Sequence, residues 1–326
     1  MARVEAVLRE GHDSRALRRR VLDVIRGAIP FDAFVWPLTD PETGVGTAPL
    51  AEVPCLPELA RLVRLRYQAT DRWTTLTGVA TMATDKPSAW RDFVASYGAR
   101  DVATIAFTDQ FGCWGFLDLW RKRAFTPDEV SRLGSIAAVV TTALRRCQAA
   151  SATALSHPTS GAAAVLVLSP DLEVRQATEA SEALLRRLLP TEAARAPVPA
   201  GAYNVAAQLL AREASIDEHQ ATARTFLDGG QLLGFRAARL GAGKDADIAV
   251  TIGPVAARER LSLFVAACGL SAREREVLEC LADGDDTKTV ARRLAMSEFT
   301  VQDHLKAISA KTGLRSRRTL LARATG

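Results

Sequence analysis

The sequence predicts a multidomain α+β chain in which two antiparallel sheets flanked by helices precede an all-α C-terminal unit of four helices. Three observations carry that expectation. Strand-like apolar runs fall into two separate groups, one around "FDAFVWPL" and "DVATIAFTDQFGCWGFLDLWRK", the other around "AAVLVLSPDLEVRQAT", "TARTFL", "QLLGFRAARL" and "DIAVTIGPV". Within each group the strands are not strictly alternated with helices, which favours antiparallel pairing over a parallel sheet. From Leu270 onward strand patterning stops, and leucines and charges recur at helical spacing.

Composition bounds the class. A chain of 326 residues is long enough for two or three domains. With 48% hydrophobic and 24% charged residues it has material for packed cores and is unlike a disordered chain. No stretch approaches the roughly 18 to 20 apolar residues of a membrane span. The opening "MARVEAVLREGHDSRALRRR" has no apolar signal core, so a cytoplasmic protein without membrane attachment is expected. Cys55, Cys113, Cys147, Cys268 and Cys280 form no C-x-x-C pair, and His12, His157, His219 and His304 lie far apart. Neither a disulfide framework nor a metal site is expected, and no cofactor.

The elements follow in order. "HDSRALRRRVLDVIRGAI" sets Leu17, Val21, Ile25 and Ile29 four apart, an amphipathic helix with Asp13 or Ser14 as N-cap. "FDAFVWPL" is a strand, and "TDPETG" after it has turn chemistry. "LPELARLVRLRYQAT" and "KPSAWRDFVASYG" read as helices, and two strands joined at Asp109 to Gly112 come next. A long helix from Pro127 to Gln148 has a capping box of Thr126 and Glu129. "AASATALSHPTSG" reads as a linker. Beyond it come a hairpin turning at Ser169-Pro170-Asp171, helices in "EASEALLRRLL" and "AYNVAAQLLAREA" around the loop "PTEAARAPVPAG", and three strands. "GAGKDA" between two of those strands lacks the outer glycine and the Ser or Thr of a phosphate loop, so it is a turn. The domains are expected at 1–150, 161–255 and 262–326.

Charge is distributed unevenly. From Leu270 to Asp286 two basic residues stand against six acidic ones, whereas Thr287 to Gly326 holds nine basic and two acidic residues. A basic terminus on an otherwise nearly neutral chain is the footprint of polyanion binding, although charge alone equally describes a solvated surface.

The C-terminal stretch "LSAREREVLECLADG", followed by "TKTVARRLAMSEFTVQDHLKAISAKTG", resembles the LuxR-type helix-turn-helix domain of bacterial transcription regulators over about the last 57 residues. Leu270, Arg273, Glu274, Glu276, Val277, Leu278, Leu281, Gly284, Lys288, Val290, Ala291, Leu294, Ser297, Thr300, Val301, His304, Leu305, Ile308, Lys311, Gly313 and Arg317 carry the match. At about 100° per residue, Val301, Leu305 and Ile308 share one side of a helix capped by Ser297, and Gln302, Asp303 and Lys306 share the other. The resemblance implies base contacts by Gln302, Asp303 and Lys306, and backbone contacts by Lys288, Thr300 and His304. Arg292, Arg293, Lys311 and Arg315 are phosphate candidates from charge. It further implies duplex operator DNA and RNA polymerase as partners and a homodimer, with Leu320 and Leu321 of the last helix as dimer contacts. Two departures stand out. "GDDTKTVA" replaces the usual Gly-x-Ser-Asn-Lys-Glu-Ile-Ala, and the common basic residue is absent at Gln302, so no operator sequence is implied.

The first two units resemble GAF and PAS domains in element order. That resemblance implies small-molecule sensing and an unknown effector, with Trp36, Trp73, Phe107, Trp114 and Phe116 either lining a pocket or packing a core. "YQATDRW", with Tyr67, Asp71 and Trp73, faintly resembles lactone-binding domains. Two other readings stay open: an adaptor that binds a partner instead of DNA, and a GAF-type thiol enzyme with Cys113 as nucleophile.

Overall fold

The computed structural model describes residues 2–8, 13–69, 72–82, 88–154, 164–188, 197–226 and 230–326. His12, Asp71, His157 and most of the loop at 190–201 lie outside the described residues. Two compact units result: Met1–Leu144 with Gly161–Thr225 and Leu233–Pro254, and Arg145–Ser160 with Phe226–Leu232 and Val255–Gly326.

The first unit opens with α1 (Ala2–Leu8) and α2 (Ser14–Ala28). Asp13 caps α2 by accepting from the amides of Arg15 and Ala16, and the four-residue spacing buries Leu17, Val21 and Ile25. There follow β1 (Ala33–Thr39), β2 (Gly46–Glu52), α3 (Leu59–Gln68), β3 (Val79–Thr81), α4 (Ala89–Ser96), β4 (Asp101–Asp109), β5 (Gly112–Arg121) and α5 (Pro127–Thr153). The strands form an antiparallel sheet in the order β2-β1-β5-β4-β3. Gly112 turns the β4–β5 hairpin with φ +136°, and a Cβ there would stand 2.3 Å from the Pro41 carbonyl oxygen.

A second sheet is built from β6 (Ala164–Leu168), β7 (Val174–Ala177), β8 (Thr222–Phe226), β9 (Leu232–Arg239) and β10 (Ile248–Pro254), with α6 (Glu179–Leu188) and α7 (Ala200–Glu213) between β7 and β8. Its order is β7-β6-β10-β9-β8, the same pattern as the first, with the first and last strands adjacent at the centre. The expected class, two antiparallel sheets followed by helices, is what the chain adopts.

Several elements differ from expectation. β2 was hidden because "GTAPLAE" is built from weak strand formers, and β3 is only three residues long. β2 exists through its partner, with Trp36 opposite Leu50 and Pro37 opposite Pro49. α5 runs on to Thr153, into the expected linker, where the hydroxyls of Ser151 and Thr153 donate to carbonyls four residues back. The domain boundary expected at 262 falls inside a helix, α8 (Ala257–Ala267).

Polar contacts join the two sheets of the first unit. Asp217 accepts from Arg72 at 2.8 Å, from the Thr74 hydroxyl and from the His219 amide at 2.8 Å. Burial acts to raise the Asp217 carboxyl, but these bonds hold it well below the usual carboxylate range. Arg224 donates through its amide and guanidinium to Asp40 at 2.7 to 2.8 Å, and the Thr43 hydroxyl donates to the Thr222 carbonyl at 2.8 Å. Gly46 lies so close to Asn204 that a Cβ would stand 3.0 Å from its side-chain oxygen, and its amide donates to the Tyr67 hydroxyl at 2.9 Å.

Deeper in the first sheet, Arg66 is 1% exposed and Asp118 is fully buried. Arg66 Nε donates to Asp118 at 3.1 Å, while Thr104 and Trp73 donate to the other carboxylate oxygen at 2.6 and 3.2 Å. The guanidinium also lies 5.4 Å from the ring centroids of both Trp73 and Trp90. Removing one member strands the other in a dry site. Asp118→Ala is therefore expected to lower stability by about 3 to 5 kcal/mol in urea unfolding of the whole chain.

Glu129 accepts from Arg121 at 2.7 and 2.9 Å, and that pairing first, against a smaller opposing effect of burial, lowers its pKa from 4.5 to about 2. Because the folded value is depressed, the stabilisation is complete above the ordinary carboxylate pKa and is lost as pH falls through about 2. Unfolding midpoints measured between pH 6 and 2 should fall less steeply in Glu129→Gln than in the wild type.

Candidate nucleic-acid interface

The C-terminal helices are α8, α9 (Ala272–Ala282), α10 (Thr287–Arg293), α11 (Glu298–Thr312) and α12 (Arg317–Thr325). Each start after α8 has a side-chain cap. Ser271 and Glu274 form a reciprocal box on α9, Asp286 accepts from the Thr289 amide at 2.8 Å, and Ser297 accepts from the Thr300 amide at 3.0 Å. The Thr289 bonds hold the Asp286 carboxyl below the usual carboxylate range. Ala295, with φ +52°, makes the left-handed turn between α10 and α11, and Gly313, with φ +72°, ends α11.

Burial fixes how α11 is rotated. Val301 and Ile308 are completely buried against Val277, Leu278, Leu281 and Val290, with Leu294 and Leu305 packed at the margin. The opposite side of α11 exposes Gln302, Asp303 and Lys306. Lys306 Nζ donates to Asp303 at 3.0 Å, so these two side chains form one exposed pair. Phe299, 71% exposed, sits on the same side. A groove lined by Gln302, Lys306, Ser309, Arg315, Arg317 and the apolar Leu305 and Leu314 runs beside this face.

Residues 269–324 match the family described as "Bacterial regulatory proteins, luxR family". These residues are a LuxR-family regulatory domain. No curated protein matches the sequence. Among solved structures, SdiA of Escherichia coli is similar at 12% identity, covering 99% of this chain and 94% of that chain with a TM-score of 0.31. The bacteriophytochrome RpBphP3 of R. palustris is similar at 14% identity, covering 78% and 61%, TM-score 0.31. VqmA of Vibrio cholerae is similar at 18% identity, covering 51% and 82%, TM-score 0.19. At such scores the likeness carries no inference about this chain.

Within the LuxR-family domain the basic residues divide by partner. Lys288, Arg292 and Arg315 are exposed, with Arg292 donating to the Thr289 hydroxyl at 3.3 Å. Arg293, expected as a phosphate ligand, is held by Asp283 at 3.0 Å and Asp285 at 2.9 Å. Lys311, expected in the same role, donates to Glu274 at 2.7 Å and to the Gly269 carbonyl at 3.2 Å, and so ties α11 to the start of α9. Burial acts to raise Glu274, but Lys311 and the Ser271 amide together hold it lower than an ordinary glutamate. Thr300 is exposed, with its hydroxyl 2.9 Å from that of Ser297, and His304 is half-buried at the edge of the apolar face. Thr287 and Arg317 also reach the groove. Arg317 is one of the positions that carry the LuxR-type resemblance, whereas Thr287 belongs to the stretch that departs from it.

The other candidates are rearranged by the structure. Leu320, expected on a dimer surface, is 3% exposed inside the domain's own core, and Leu321 packs against that core. The five aromatics of the first unit do not face one space. Register puts Phe107 and Leu38 opposite Gly115, so Phe107 and Trp36 share one face of the sheet, where they stack at 5.1 Å. Phe116 alternates to the other face and stacks on Trp73 at 6.1 Å. Trp114 donates to Asp109 at 2.9 Å near the hairpin end, and all five rings are buried. Burial pushes the Cys113 thiol up to about 11, the reverse of what a thiolate nucleophile needs. Among the described residues no group of three His, Cys, Asp or Glu could hold a metal, and no helix is long and apolar enough to cross a membrane.

This division of cations is measurable without any ligand. Lys311→Met should cost about 1 to 3 kcal/mol in urea unfolding by leaving the buried Glu274 carboxylate short of a partner. Arg315→Ala, exposed, should change stability by less than about 0.5 kcal/mol.

Proposed function

We propose that this chain is a sequence-specific, DNA-binding transcriptional regulator that places α11 in the major groove as a homodimer. One observation carries the reading. In a segment matching the LuxR family, the helix that buries Val301 and Ile308 turns Gln302, Asp303 and Lys306 outward, beside exposed Lys288 and Arg292. A helix fits the major groove, and its outward side chains are of types that pair with base edges: Gln with adenine, Asp with the cytosine amino group, Lys with guanine. Exposed cations at its flanks suit phosphates. Two copies would read an inverted repeat that one short helix reads too weakly. The GAF-like unit at 1–150 and the PAS-like unit at 161–255 are proposed as sensors of a small effector, acting through differential affinity for two dimer geometries.

The test is selection from random duplexes with the full-length protein. An enriched motif is expected, and Lys306→Ala should cost about 1 to 3 kcal/mol at one base position. Arg292→Ala should weaken all sequences alike and reduce the slope of log affinity against log salt by about 1. Failure to enrich any motif would sink the reading and leave the partner adaptor in its place.

A further inference from the structure

Phe299 is the most exposed large apolar side chain among the described residues, at 71%. The domain's core does not need it, because α11 is already seated by Val301 and Ile308. Its position is not peripheral either. At about 100° per residue, Lys306 lies about 20° from Phe299 around the helix, Asp303 about 40° and Gln302 about 60°. The ring thus stands at the centre of the outward stripe, in the first turn, and recognition helices contact base edges through their N-terminal residues.

Its surroundings narrow the occupant. Lys306 Nζ lies 5.6 Å from the ring centroid while pairing with Asp303, so the ring is flanked by a cation. After Asp303 the sequence has no acidic residue. The ring stands beside the Lys306–Asp303 pair in a segment, Thr287 to Gly326, that holds nine basic residues against two acidic ones, and such a segment complements a polyanion better than an apolar protein groove. Phe can offer no hydrogen bond, and the apolar feature on the floor of the major groove is the C5-methyl of thymine, or of methylated cytosine.

We propose that Phe299 is a specificity-determining residue that packs on the C5-methyl group of a pyrimidine, selecting thymine at one position of the operator. The inference rests on the DNA-reading function above. It is tested with the selected motif by replacing each thymine in turn with deoxyuridine, which deletes only the methyl group. Wild-type full-length protein should lose about fourfold in affinity at one thymine, the worth of one buried carbon. Phe299→Ala should bind more weakly and be indifferent to that replacement, while Phe299→Leu should keep part of the response. Placing 5-methylcytosine against guanine at the same position should bind wild type better than plain cytosine does; if it restores full affinity, the residue reads methylation state as well as thymine. Circular dichroism should show all variants folded, since the side chain is exposed. If deoxyuridine has no effect on wild type, or the same effect on Phe299→Ala, the proposal is wrong while DNA reading stands. A wild type that selects no motif overturns DNA reading, and this inference with it.

Discussion

The complete burial of Val301 and Ile308 is the constraint on which the C-terminal domain depends. Seven residues apart on α11, they occupy nearly the same angle, and pressing both into the core leaves the helix one rotational setting. Everything outward follows from it: Gln302, Asp303, Lys306 and Phe299 are exposed because their neighbours are not. The Ser297 cap fixes where the helix starts, and the Lys311 bond to Glu274 fixes its far end against α9. A recognition surface needs its side chains held by rigid elements, and here the core sets the rotation while polar bonds set the two ends.

The same bonds show why net charge overstates the cations available to a polyanion. Arg293 and Lys311 are engaged with carboxylates from the acidic first part of the domain, which places negative charge where it neutralises structural cations. Lys288 and Arg292 of α10 and Arg315 between α11 and α12 remain exposed. Asp286, which looks unfavourable near phosphate, closes the first turn of α10 with its carboxylate. Its charge is directed to amides and favours the helix N-terminus.

Legibility in the sequence tracked the range of the physics. Local signals were legible: the Asp13 cap of α2, the Thr126 and Glu129 box of α5, the Ser297 cap of α11 and the apolar stripe of that helix. Pairing partners were not. β2 is a strand because Leu50 and Pro49 meet β1, and no property of "GTAPLAE" announces it. The direction of the aromatic residues was also hidden, since Trp36 and Phe116 belong to strands whose register decides the face each ring takes. Leu320 and Phe299 are opposite cases of one ambiguity. An apolar residue near the end of a helical domain can be core or surface, and only packing distinguishes the buried leucine from the exposed phenylalanine.

The first unit raises the question of how sheets that share a topology act together. Their junction is polar: Asp217 gathers Arg72, Thr74 and His219, and Arg224 reaches Asp40. Hydrophobic contact tolerates sliding, whereas bonds of this kind are satisfied at one register and leave buried charge when shifted. The junction therefore fixes how the two sheets are set against each other through bonds that have one satisfied geometry. The aromatic stacks on the first sheet lie on opposite faces, and only the one built from Trp73 and Phe116 belongs to the face holding Arg66 and Asp118. A molecule entering there would have to displace a buried ion pair between two tryptophans. Any molecule taking that place would need groups of both signs to replace the bonds between Arg66 and Asp118.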